Sequence, residues 1–325
     1  MMRPLALLLP LFVFAACGAS PPPTEPAVEE AQHDRRAREE DKKRRDFQAV
    51  LIRLDQAMES YVHMVQREGE MRASAQIKRI YKLINETVLD TGTYDPKQPR
   101  PQLGETLARL TALATDGSNV DHQAIALAAL GFSGREEVMP TILQGAQLSD
   151  PFLVDRAVLG LAVLHSPKTP PGVLEAIIAR PSHPEDGRAN AAWALYCIQQ
   201  SCNDQAPIAA IWRKLLTEQG DTLPGLVVVS AVRGLGATLD PANADLVAKY
   251  LKHRAPLVRM TAAVALGRMR AQDHWQDLVA MLDPAESEQN VRLCASKALA
   301  SLSGGVDYKY DVSAWRKVFE RGQHQ

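Results

Sequence analysis

The chain has 325 residues, 46% of them hydrophobic and 23% charged, with a formal net charge of −1. That balance excludes a wholly disordered chain, which would be poor in apolar residues. It also gives no electrostatic basis for binding nucleic acid. The length is ample for a continuous hydrophobic core.

At the start of the chain, Arg3 precedes an apolar run from Leu5 to Val13, interrupted by Pro10. About 20 apolar residues are needed to cross a bilayer, so this shorter run reads as a cleaved export signal. Phe14-Ala15-Ala16-Cys17 then resembles the lipobox of bacterial lipoproteins, with Phe where Leu is usual. The resemblance implies cleavage after residue 16 and a diacylglycerol thioether on Cys17. Buried acyl chains contribute roughly 0.8 kcal/mol per methylene, so two or three of them anchor firmly. In that family, Gly18 in place of Asp implies sorting to the outer membrane. The expected location is therefore the cell envelope, lipid-anchored at the periplasmic face of the outer membrane. The alternative is an ordinary secretory signal followed by an unrelated cysteine.

Residues 17 to 33 read as a tether, because Pro21-Pro22-Pro23 and Pro26 favour extended backbone and nothing there can build a core. The block from Asp34 to Asp46 mixes acids and bases, which suits a solvated helix laced with i,i+4 pairs better than a polyanion or lipid contact. Phe47, Val50, Leu51, Leu54, Met58, Tyr61, Val62 and Val65 then alternate three and four apart, and Ile77, Ile80, Tyr81, Ile84 and Val88 form a second stripe. Residues 34 to 92 are expected to form a helical hairpin. It either caps the rest of the chain or serves as an oligomerisation seam. A Pro-rich loop from Asp95 to Pro101 follows. Leu103, Leu107, Leu110 and Leu113 then open a helical array over residues 102 to 325.

That array carries one five-residue frame six times: Ala, two variable residues, a small residue, Leu. The frames begin at Ala126, Ala157, Ala191, Ala231, Ala262 and Ala295, and their leucines lie 31, 34, 40, 31 and 33 residues apart. A period of this length marks a solenoid. On a helix, positions i, i+3 and i+4 share a face, so small residues let a neighbouring helix approach while Leu fills the gap. Each frame is followed by a second apolar stripe, from Met139, Ile142 and Leu143 in the first unit to Trp315, Val318 and Phe319 in the last. Each unit is thus a hairpin with two apolar faces, which only stacking can bury.

The stretch from Pro256 to Gly267, with Val258, Arg259, Ala262, Ala265 and Leu266, resembles the first helix of bacterial HEAT-like repeats, as does Val291 to Leu299. An Arg seven residues before the Leu recurs at Arg188, Arg259 and Arg292, where the other units have Gln123, Val154 and Val228. The segment from Gly305 to Arg316, with Trp315, resembles the closing segment of such proteins. The fold expected is all-α: a right-handed α-solenoid of about six HEAT-like hairpins after an N-terminal hairpin. The family's second helices usually line the concave surface, which would offer Gln144, Glu175, Arg213, Lys214, Asp245, Lys249, Gln276, Asp277, Arg316 and Lys317 to a protein partner. HEAT-like di-iron hydroxylases carry His-Glu dipeptides, and this chain has none.

Chemistry-bearing motifs are sparse. No Gly-rich phosphate loop, Gly-x-Ser-x-Gly or Cys-x-x-Cys occurs, and no metal or other cofactor is expected. His183 and Asp186 share a Pro-rich stretch that reads as a solvated loop. Cys197 and Cys202 can pair in an oxidising compartment only if their helix ends between them, which Asn203-Asp204 favours; otherwise they are two independent thiols. Cys294 and the tryptophans at 193, 212, 275 and 315 are expected to pack in the core or between repeats. The reading is a non-catalytic, lipid-anchored scaffold with an unknown protein partner, a membrane contact through its lipid, and neither nucleic acid nor a small-molecule substrate. The alternative is a lyase-like HEAT-repeat enzyme or enzyme subunit, and the third is a structural envelope protein that self-assembles.

The lipobox has a direct test. Radiolabelled palmitate is expected to enter the protein in a bacterial host, and Cys17→Ser to abolish both labelling and lipoprotein-type processing. Normal processing of the variant would remove the lipid anchor from the account.

Overall fold

The structure is a computed structural model, and it describes residues 25–68, 74–90, 105–220 and 222–322. The lipobox, Cys17, most of the tether and the Pro-rich loop lie outside the described residues. Among the described residues all regular structure is helical, and no helix is long and apolar enough to cross a membrane. The chain divides into two compact units, residues 1–49 and 50–325.

The first unit contributes the opening of α1 (Glu25–Glu68). This helix begins inside the stretch expected to be an extended tether. Pro26 does not prevent it, since proline is tolerated in a first turn, where its missing N–H has no helical partner. Side chains 32–46 are all exposed, and Arg44 pairs with Asp41 at 2.6 Å, as a solvated charged helix would.

The second unit begins with the seam of α1. Leu51, Leu54, Met58 and Tyr61 are at most 1% exposed. After α2 (Ala75–Val88) and α3 (Glu105–Thr115), the repeats run as pairs. Frame helices are α4 (Val120–Gly131), α6 (Pro151–Leu164), α8 (Glu185–Gln199), α10 (Gly225–Ala237), α12 (Pro256–Met269) and α14 (Gln289–Leu302). Their second helices are α5 (Met139–Gly145), α7 (Pro171–Ile178), α9 (Ala206–Gln219), α11 (Ala244–Ala248), α13 (Trp275–Ala280) and α15 (Val312–Gly322). The result is an α-solenoid in which each frame helix packs on the next. Tyr61 meets Phe132 edge-on at 5.0 Å, Asn85 Nδ2 donates to Phe132 O at 2.7 Å, and Arg156 lies 3.7 Å from Asp55. The seam of α1 is therefore spent within the chain, covering the start of the array.

Every small residue of the six frames is buried. The contact between consecutive frames follows a rule. The residue after the Leu of one frame meets the second small residue of the next: Gly131 faces Gly160, Gly236 faces Ala265, and Gly267 faces Ala298. A Cβ on Gly236 would stand 2.7 Å from Ala265 Cβ, and one on Gly267 would stand 2.9 Å from Ala298 Cα. A Cβ on Gly131 would strike the Gly160 carbonyl itself. Two junctions lack this Gly: Ala162 follows Leu161, and Tyr196 follows Leu195.

Polar residues satisfy the backbone at the turns. The last carbonyls of a helix lack internal partners. Arg188 Nε donates to Ile178 O at 2.7 Å, and Gln123 Nε2 does the same for Ala114 O at 3.0 Å. Arg259 donates to His253 O at 2.9 Å while its fork holds Glu286 at 2.8 and 2.9 Å. This explains why a long donor recurs seven residues before the Leu. Arg292 instead lies 5.7 Å over the Tyr310 ring. Buried Gln199 accepts from Trp212 Nε1 at 2.8 Å and donates to Gly234 O at 2.9 Å, tying α8, α9 and α10 together. At the far end Trp315 is fully buried, donates to Lys309 O at 2.9 Å and takes Tyr308 edge-on at 5.0 Å.

Gly131→Ala separates helix propensity from packing. Alanine is the better helix former by about 1 kcal/mol. Overpacking against immovable backbone costs about 1–3 kcal/mol and should win. Denaturant titration is expected to show net destabilisation, and a gain in stability would contradict the close approach of α4 and α6.

Candidate functional site

Two recesses open on the frame helices of the second unit, of about 640 and 610 Å³. The first is walled by α8, α10, α12 and α14, and the second lies between the α1 seam and α6, α8, α10 and α12. Both arise at the α8–α10 junction. Where three other frames place Gly, Tyr196 forms part of the first wall. Trp193, Arg233 and Leu257 line both recesses and form the ridge between them.

The third residue of four of the six frames supplies this face. Leu159 lines the second recess, Val264 the first, and Trp193 and Arg233 both. These positions lie one residue off the buried Ala and are free to point away from the hairpin interior. Leu226, Leu257, Val264 and Leu293 are 53, 44, 43 and 39% exposed. So many exposed large apolar side chains on one layer of helices are unusual for a surface without a partner.

The two recesses differ in charge. The first has Arg233, Arg268 and His165 in its lining and no carboxylate, whereas Glu59 and Asp155 line the second alongside Arg156 and His63. Arg233 lies 5.6 Å over the Tyr196 ring, a cation–π contact. Cys197 and Cys294 also line the first recess. Burial pushes the Cys294 thiol up, opposed by Lys297, and that of Cys202 up, helped by Asp204.

His183 is buried, not solvated as the sequence suggested, and its Nε2 lies 3.6 Å from Asp155 Oδ1 at the edge of the second recess. Gly187 permits the approach, since a Cβ there would strike the imidazole and stand 2.7 Å from Asp155 Oδ1. Both facing atoms lack a hydrogen-bond partner. Burial raises the Asp155 pKa, opposed by His183 and reinforced by Asp186. Asp186 stands at the start of α8, three residues from His183 in sequence. Among the described residues no group of three or more His, Cys, Asp or Glu could hold a metal ion.

The ten polar residues expected to face a partner all lie on the other layer, and none lines a recess. Several lace successive second helices together. Lys214 pairs with Glu175 at 2.8 Å, Arg213 donates to Asn243 at 3.2 Å, and His274 bridges Asp245 at 3.0 Å and Asp277 at 3.2 Å. Gln144, Lys249, Gln276, Arg316 and Lys317 are exposed. Cys197 and Cys202 are not joined by a disulfide among the described residues. The helix runs through Cys197 to Gln199, and the Cys202 thiol donates to Ile198 O at 3.4 Å. Trp212, Trp275 and Trp315 are buried, but Trp193 is only half-buried and faces the recesses.

Residues 224–300, spanning α10 to most of α14, match the model of the HEAT repeat family. No curated protein matches the chain. Among solved structures, the complex of CpcE and CpcF of phycocyanin lyase from Nostoc sp. PCC7120 is similar, at 14% identity and a TM-score of 0.37, over 78% of this chain and 92% of that one. Human deoxyhypusine hydroxylase in complex with glycerol is similar at 15% identity and a TM-score of 0.33, over 79% and 98%. At those values neither likeness bears on what this chain binds or does.

The Asp155 environment gives a pH signature. A carboxyl whose folded pKa is raised costs stability as pH climbs from its unfolded value, about 3.9, through the folded one. Asp155→Asn avoids that loss. Its melting temperature is expected to exceed that of the parent at pH 7 and to match it near pH 3. A variant less stable at pH 7 would show that the pairing with His183 outweighs burial.

Proposed function

We propose that the protein is a non-catalytic scaffold of the bacterial cell envelope, anchored by lipid on Cys17, that grips a protein partner on the frame-helix face of its solenoid. The observation that supports this reading most is the open, partly apolar surface around Trp193, Arg233 and Leu257, fed by four consecutive frame helices. A surface built from repeated positions suits an extended contact, in which a few aromatic and arginine anchors carry most of the energy. The polar residues of the second helices, Arg316 and Lys317 included, form the competing contact face.

A second reading rests on Asp155 and His183. A half-buried carboxyl with a raised pKa beside a buried imidazole, at the wall of a cavity, is the kind of pair that general acid–base chemistry uses. Under that reading the chain is a lyase-like enzyme or enzyme subunit.

The two readings part in one experiment. The protein is crosslinked in intact envelopes, its partner is identified by mass spectrometry, and binding is then measured with purified components. Trp193→Ala and Leu257→Ser are each expected to weaken binding at least tenfold, about 1.4 kcal/mol. Arg316→Glu with Lys317→Glu is expected to change it less than threefold. The reverse pattern would move the contact to the second helices. Loss of a turnover in Asp155→Asn with binding intact would replace the scaffold by the enzyme.

A further inference from the structure

We infer that the first recess is a docking site for an acidic segment of a protein partner, whose carboxylates bond to Arg233 and Arg268 while its apolar side chains cover Leu257 and Val264. The inference rests on the scaffold reading and adds the chemistry of what is bound. Among the described residues, neither Arg233 nor Arg268 has an ion-pair partner, and the recess lining holds no carboxylate. Arg292, over the Tyr310 ring, likewise forms no ion pair among the described residues, but three other arginines of the frame helices are spent within the fold. Arg259 is bidentate to Glu286, Arg156 lies beside Asp55, and Arg188 is spent on a carbonyl.

Arg233 is half-buried and steadied on the Tyr196 face, which orients the guanidinium without consuming its five N–H donors. A planar fork held against an aromatic wall matches a carboxylate bidentately, and the apolar surroundings strengthen the attraction. The Trp193 indole N–H likewise has no acceptor among the described residues, whereas those of Trp212 and Trp315 are bonded within the fold. Three donor groups therefore sit around the recess, and among the described residues none of them is bonded to an acceptor. The second recess balances Glu59 and Asp155 against Arg156 and Arg233, whereas the first has arginines and no carboxylate, so the first suits the acidic end of the segment better.

The test uses detergent-solubilised full-length protein and a random 12-residue peptide library displayed on phage. Enriched peptides are synthesised with fluorescein and titrated by anisotropy. The expected result is enrichment of Asp and Glu beside aromatic or branched residues. Arg233→Gln and Arg268→Gln should each weaken binding at least tenfold, Arg233→Lys should lose less, and affinity should fall as salt rises. Arg268 is exposed, so its variant carries the test if Arg233→Gln fails to fold. Peptides without acidic bias that still depend on Leu257 would overturn the acidic chemistry and leave the scaffold face in place. Peptides indifferent to Arg233, Arg268 and Leu257 would overturn both. Displacement of the peptides by phosphatidylglycerol vesicles, but not by neutral ones, would overturn the protein partner in favour of anionic headgroups.

Discussion

The contact of backbone on backbone between successive frame helices sets the rest of the structure. Gly131 on Gly160, Gly236 on Ala265 and Gly267 on Ala298 bring helices closer than any larger side chain would allow. Interiors are packed to crystal density, so such a contact tolerates no added methyl group without rearrangement. One layer of the solenoid is therefore held tight, while the second helices meet their successors more loosely. The looser layer is spanned by long polar side chains, as in Lys214 with Glu175 or His274 between Asp245 and Asp277. Long flexible chains can bridge a gap that methyl and hydrogen contacts cannot.

The recesses open at a frame-helix junction without such a glycine, that of α8 with α10. Tyr196 occupies a position where three other frames carry Gly, and its ring lines the first recess beneath Arg233. A 40-residue spacing between Leu195 and Leu235, the longest of the five, falls at that junction. The buried Gln199 amide joins Trp212 and the Gly234 carbonyl across the same junction, satisfying buried polar groups of three helices.

The sequence made the array legible because small residues and Leu at i, i+3 and i+4 are a packing requirement, and the leucine period is the period of the stack. The purpose of the recurring Arg was not legible from spacing alone. It emerged from the Ala114, Ile178 and His253 carbonyls, which belong to the preceding helix of each unit. The location of the recesses was also hidden. Periodicity tells which face of a helix is buried against its neighbour, but not which layer of a two-layer stack stays open. The frame's third residue held that information in Leu159, Trp193, Arg233 and Val264, disguised as a variable position. Helix α1 escaped in a different way, because Pro26 reads as a helix breaker in composition while standing in a first turn, where it breaks nothing.

Helix α6 ends on His165, held in the left-handed region at φ 36°. Glycine is the ordinary occupant of such a cap, and a side chain there carries a conformational penalty of about 1–2 kcal/mol. The imidazole so placed lines the first recess. A side chain in this left-handed cap thus borders the open surface, as Gln200 at the end of α8 also does. A sequence optimised only for thermal robustness would put glycine at 165 and lose a wall of the recess. At the terminus of α6 the backbone's preference for glycine and the imidazole's place in the recess wall therefore oppose each other.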